Sequence, residues 1–411
     1  MQLPSVLIQG RKTKLNSRQS GIAYFEKCLA QATAAHSPKD QIPALIELAL
    51  ELAQTKQAEA IAKAQDLLNQ AQQIPTTSRS EYFTALLSYG QGVLALEQNQ
   101  PSQGFNLLQQ ALKLFTSLQE GCASDEASYL QDNLSLVDDA LGVYYMAANQ
   151  FPPALSHLER SLTRRQSLPE LSYGIATSYF LMGQLYMRLF NFDQAEAAFG
   201  KSLDAAIDGD YNHLRLKSLV GMVQVAIART DWDMAEAMIE EATPLLEMPT
   251  DLDQVVILAQ SKAEALLGNR QVLEAQDCIE LEALPQFDIL QHPVGLAITQ
   301  RTLGRILRGR LLEGLDRLTT ETIETVEDYF SEAAMVFQEW GMLTEYVLTL
   351  HDTASLYTVC EEFKFNRYQY QGKAVRALKL ALAALEKMEG DTAALARLIE
   401  DSLDRVIGNL S

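Results

Sequence analysis

SYFLMGQLYMRLFNFDQAEAAFGKSL, residues 178–203, decides the fold. It reads as two short helices joined by a tight turn. The first carries Leu181, Gly183 and Tyr186, and the second carries Ala195, Phe199 and Ser202. Asn191 and Asp193 mark the turn, where short polar side chains cap a helix start. Gly183 and Ala195 are small enough for the two backbones to approach closely, while Tyr186 and Phe199 fill the space between them. Such a pair cannot bury its apolar faces alone, so it must stack on copies of itself.

The copies are legible on both sides. Gly92 is followed by Gly104, Leu108 and Ala111, and Gly142 by Ala154, Leu158 and Ser161. Val223 is followed by Ala235, Ile239 and Ala242, and Ala263 by Ala275, Ile279 and Glu282. In all five units the offsets are 12, 16 and 19. The anchors at 92, 142, 183, 223, 263 and 304 settle to spacings of 41, 40, 40 and 41 residues.

This pattern resembles the tetratricopeptide repeat family, which places a small residue at its eighth position and Ala near its twentieth and twenty-seventh. The usual period is about 34 residues, so longer helices or loops are expected here. The family's Trp near its fourth position is missing, marking a divergent member. Extended arrays of this kind look like those of bacterial peptide-sensing regulators and signal-transduction ATPases. The resemblance implies a single all-α, right-handed superhelical solenoid over residues 21–411. Its clearest units are 82–115, 132–162, 173–203, 214–246, 252–284 and 294–318, and capping helices cover 373–411.

Outside the clear units the reading is coarser. Gly21 to Ala35 reads as a first helix, interrupted over His36 to Asp40, and Gln41 to Gln73 reads as a hairpin of unclear phase. Pro75 to Ser80 forms a break. In the sixth unit Asp316 stands where Ala is expected, and Tyr329 to Tyr346 reads as a joining segment. Val347 to Cys360 forms a further helix that ends in the aromatic and basic knot EEFKFNRYQYQG.

The chain has 411 residues, 33 Lys+Arg against 53 Asp+Glu and a formal charge of −20. That acidity argues against nucleic acid and anionic lipid as general partners. No apolar run is long enough to span a bilayer. Four scattered cysteines without a CxxC pair fit reduced thiols in a cytoplasmic protein. Residues 1–20 carry Arg11, Lys12, Lys14 and Arg18 without an acid, and read as a basic N-terminal arm, with a targeting segment as the other reading.

Catalytic signatures do not emerge. The five histidines have no HExxH spacing, and GxxxxGK[ST], GxGxxG and GxSxG are missing. No catalytic residue, metal site or cofactor is expected. The informative charges lie in residues 300–317, where five arginines fall in an otherwise acidic chain. Arg301, Arg305 and Arg308 share one helix face. With Gly304 at the eighth position, the resemblance puts them on the concave groove, where guanidinium groups grip carboxylates. Pairing with acids of the preceding unit, such as Glu264, or a solvated stripe are the alternatives.

The same positions in earlier units give Tyr89, Phe180, Gln184 and Gln224 as groove residues, with Met146 and Met187 one turn later. Ordinary packing of Phe180, Met146 and Met187 between helices is the competing reading. Repeat proteins that clamp an acidic chaperone tail need Lys and Asn where Phe180 and Gln184 stand, which disfavours that role. Stacking of bases on the knot at Phe363, Phe365, Tyr368 and Tyr370 is a minor reading. The expectation is a non-catalytic scaffold that binds a protein or peptide, with acidic or C-terminal carboxylate groups near the Arg301 helix. The alternative is a ligand-gated regulator acting through superhelical pitch. Homo-oligomerisation stays open.

Overall fold

The computed structural model describes residues 3–74, 81–120, 124–290, 292–388 and 392–408. Among these residues there are nineteen α-helices and no strand. Two helices, α1 (Leu3–Asn16) and α2 (Arg18–Ala34), precede a run of helical hairpins. The hairpins are α3 (Pro38–Gln54) with α4 (Ala58–Gln73), α5 (Glu81–Glu97) with α6 (Pro101–Glu120), and α7 (Ser124–Ala147) with α8 (Phe151–Ser167). Next come α9 (Ile175–Arg188) with α10 (Phe192–Asp208), α11 (Asn212–Ala228) with α12 (Trp232–Ala242), and α13 (Leu252–Gly268) with α14 (Val272–Asp277). The last are α15 (Pro293–Leu312) with α16 (Thr320–Glu339) and α17 (Leu343–Glu362) with α18 (Arg367–Leu385), closed by α19 (Ala393–Gly408).

Each hairpin from α3/α4 to α13/α14 closes through a three-residue turn whose middle residue is left-handed. Lys56, Asn99, Asn149, Phe190, Thr230 and Arg270 hold φ between 55° and 61°. In the last five of these turns the next residue reaches back into the helix just ended, as when Asn191 N–H donates to Tyr186 C=O at 3.0 Å and Gln271 N–H to Leu266 C=O at 2.8 Å. Carbonyls that the helix end orphans are thereby satisfied, and the chain reverses in register. Asn191 also caps α10, its side chain accepting from Gln194 N–H.

The small residues work by close approach. A Cβ on Gly183 would fall 2.6 Å from the ring of Phe199, a side chain that is fully buried. Ala195 and Ser202 are also fully buried. First helices pack on first helices along the array, α3 on α5, α5 on α7 and so on to α17, while successive second helices splay apart. The wall of first helices therefore curves inward as the floor of a trough. This is a tetratricopeptide-like solenoid.

Two units depart from the expected outline. Phe330 meets the Cβ position of Gly304 as Phe199 meets that of Gly183, but stands 26 rather than 16 residues on. Ten residues are thus inserted. Asp316 falls in the added loop, bonded to Arg310 at 2.8 and 2.9 Å, and Tyr329 to Tyr346 runs from the second half of α16 through the turn into the start of α17. In the fifth, α14 stops at Asp277 and continues as a π-turn over Cys278–Ala283 and a 3₁₀ turn over Leu284–Asp288, where Pro285 lacks the N–H a helix needs.

The stretch read as a basic N-terminal arm is helical. The chain reverses at Ser17, whose side chain accepts from Ser20 N–H at 3.0 Å, so that α1 and α2 lie side by side. They touch closely enough that a Cβ on Gly21 would fall 2.6 Å from Lys14 Cβ and 2.9 Å from its Cα. The break at Pro75 to Ser80 and Cys122 lie outside the described residues, while Cys28, Cys278 and Cys360 carry free thiols.

Candidate functional site

The trough has two differently charged halves. In the first, α1 lies against α3 and α11 and is held by polar side chains of α3 and α7, while Arg18 at the start of α2 meets the start of α13. Arg11 is 1% exposed and donates to Glu47 at 2.5 and 2.9 Å, to Asp132 at 2.5 Å and to Asn133 at 3.0 Å. Tyr173 O–H also donates to Asp132, at 2.6 Å. Burial works against the Arg11 charge, but Glu47 and Asp132 outweigh it and hold the guanidinium well above its ordinary pKa. One turn on, Lys14 Nζ sits 2.7 Å from Glu51. Leu15 packs among Ala176, Phe180 and Leu214.

At the helix reversal, Ser17 Oγ donates to Glu247 at 2.6 Å. Arg18 donates to Thr250 C=O at 2.6 Å and to Asp253 at 3.0 Å, with Asp251 at 3.7 Å and His213 Nε2 at 3.3 Å. Five carboxylates of the repeats therefore converge on three cations at the N-terminus. Composition indicates which sign dominates the surface, but not that the few early cations would meet this acidic wall.

His213 gives this junction a pH dependence. Burial, then the nearby Lys217, pull its pKa down to about 4, although Asp251 works the other way. The unfolded chain takes up a proton as pH falls through about 6.5, and the folded chain does not until about 4. Stability is therefore complete above 6.5 and falls between 6.5 and 4, by up to about 3 kcal/mol. In urea titrations across this range His213→Gln is expected to remove that part of the slope; an unchanged slope would show that His213 is not buried neutral.

The second half carries the arginines. Arg301 lies 2.7 Å from Asp352 of α17, and Arg308 lies 3.5 Å from it. Arg305 reaches Glu264 at 2.6 Å and Asp352 at 3.7 Å. Arg305 and Glu264 occupy the same repeat position in adjacent units, as do Gln184 and Gln224 before them. Burial opposes the charge on Asp352, but Arg301, Arg305 and Arg308 prevail and pull its pKa down to about 2. Three guanidinium groups face two carboxylates, leaving a surplus of one positive charge on side chains 18%, 31% and 19% exposed.

The remaining groove residues separate. Gln184 and Gln224 are exposed. Tyr89 and Met146 are buried in the core, and Phe180 and Met187 are half-buried. Phe180 bridges Leu15 of α1 to Phe199, whose ring centroid is 5.9 Å away. A separate cleft of about 320 Å³ between α12 and α13 is lined by Ile239, Leu258, Lys262 and Glu282, and by none of the trough residues above. Among the described residues no group of three His, Cys, Asp or Glu is placed to hold a metal, and no helix is long and apolar enough to cross a membrane.

The class these features define is a divergent tetratricopeptide-like solenoid. Among solved structures, the chain is similar to a Rap protein complexed with Competence and Sporulation Factor, at TM-score 0.65 and 12% identity, over 93% of this chain and 99% of that one. It is also similar to aspartyl phosphate phosphatase F from Bacillus subtilis, at TM-score 0.53 and 12% identity, over 95% of each chain. No protein-family profile and no curated protein sequence matches it. At these identities the likeness is one of fold.

Proposed function

We propose that the chain is a non-catalytic scaffold, working in the cytoplasm, whose trough captures a protein or peptide segment for assembly or signalling. This reading rests on a run of polar side chains at one recurring repeat position. Gln184 and Gln224 stand exposed at successive repeats, and the run continues into Glu264, Arg305, Arg301 and Arg308. Amides spaced along a row of repeats suit the backbone of an extended peptide. The surplus positive charge beyond them suits an acidic side chain or a terminal carboxylate.

Reversing the arginines is a poor test, because it would strand Asp352 and Glu264. Gln184→Glu combined with Gln224→Glu leaves all packing intact and adds two negative charges to that run. Partners captured from the native cell, quantified by mass spectrometry, should fall at least tenfold with the melting temperature unchanged. An identical capture set would remove the groove assignment.

A second reading, a ligand-gated regulator, draws on α1. By touching α3, α7 and α11 it ties distant repeats together, so moving it would alter their pitch. The Rap structure in complex with a factor lends this reading support. Small-angle scattering of the protein with and without a captured peptide should then differ, and superimposable curves would count against a switch.

A further inference from the structure

We propose that the acidic half of the trough is a docking surface for a basic helix of another protein, with α1 as its resident occupant, exchanged for that helix on binding. The inference goes beyond the capture reading above, which concerns Gln184, Gln224 and the arginines, and uses only the trough itself.

The division of labour between α1 and the repeats carries it. Arg11 and Lys14 bring the cations, while Glu47, Glu51 and Asp132 on the repeats bring the anions. The carboxylates form a template whose spacing specifies its ligand. A guanidinium must reach Glu47 and Asp132 together, and an amine three residues on must reach Glu51. Glu47, Glu51 and Asp132 are each 1% exposed, so the template cannot stand empty without leaving buried charge uncompensated. Replacement by a helix with the same cations costs little, because each broken ion pair is remade.

The attachment of α1 fits exchange. It is joined to α2 at Ser17, and its hold on the repeats includes the ion pairs of Arg11 and Lys14 beside the packing of Leu7 and Leu15. As a tethered ligand it acts at an effective concentration on the order of millimolar. A free helix of equal intrinsic affinity therefore binds weakly to the intact chain, and binds well once α1 is loosened. Gly21→Ala loosens α1 without touching the template, since the new Cβ would meet the Lys14 backbone.

The test uses a fluorescent synthetic peptide of residues 1–20 and the full-length chain. Anisotropy should show the peptide binding Gly21→Ala at least tenfold more tightly than wild type. A peptide carrying Arg11→Glu and Lys14→Glu should bind neither. Hydrogen exchange on the wild-type chain gives a readout that does not depend on the variant folding. With saturating peptide the α1 amides should exchange faster while α3 and α13 stay protected. Unchanged protection of α1, or equal binding of the charge-reversed peptide, would overturn the proposal. Neither outcome bears on the glutamine variants, so the two readings fail separately.

Discussion

Arg11→Met is expected to lower the stability of the first hairpins by about 3–5 kcal/mol, the cost of stranding buried carboxylates. Arg11 reaches Glu47 with two nitrogens and Asp132 with a third, and all three side chains are 1% exposed. Met fills much the same volume, so the loss reports charge rather than packing. Stacked repeats need not unfold in one step. The effect should appear as an early transition in guanidinium titrations, ahead of the remaining hairpins. Replacing Glu47 and Asp132 by Leu in the same chain should recover much of the loss, because a buried ion group exchanged whole for apolar side chains is often neutral.

Asp352→Asn is the second large effect. Asp352 is 6% exposed and takes charge from Arg301, Arg305 and Arg308, so its loss leaves three guanidinium groups sharing Glu264 alone. Breaking a buried pair by removing one partner costs about 3–5 kcal/mol. Here part of that should return when an anion from solution takes the vacated place. Melting curves of the variant should rise with added phosphate far more than those of wild type. The same change should raise affinity for acidic peptides severalfold. A phosphate response equal to that of wild type would mean the arginines are already neutralised elsewhere.

How far the sequence revealed this depended on the type of contact. Contacts within one hairpin recur with the repeat, so Gly183 against Phe199 was readable from spacing. The first hairpin carries the same signal, since Leu52, Ala64, Leu68 and Ala71 keep the offsets 12, 16 and 19 and lie forty residues before the next anchor. It was obscured because Leu replaces the small residue and the region is uniformly rich in helix formers. The sixth unit was misplaced because a ten-residue insertion moves Val326, Phe330 and Ala333 out of phase.

Contacts between distant units leave no period. Arg11 meets Asp132 across 121 residues and Arg18 meets Asp253 across 235. Both follow from the curvature of the array, which is set by many small angles between hairpins rather than by any motif. The Arg305 pairing with Glu264 stood among the alternatives because adjacent repeats place equivalent positions side by side. Its sharing of Asp352 with Arg301 and Arg308 was not legible, since Asp352 belongs to a unit without a clear phase.

α1 lies in the trough, against repeats far away in sequence. A double-mutant cycle between Arg11→Met and Asp132→Leu, followed by chemical denaturation, measures that contact directly. A coupling on the order of 2–3 kcal/mol is the expected result for side chains sharing a buried ion network. Strictly additive losses would contradict it, because they would place the two residues out of each other's reach.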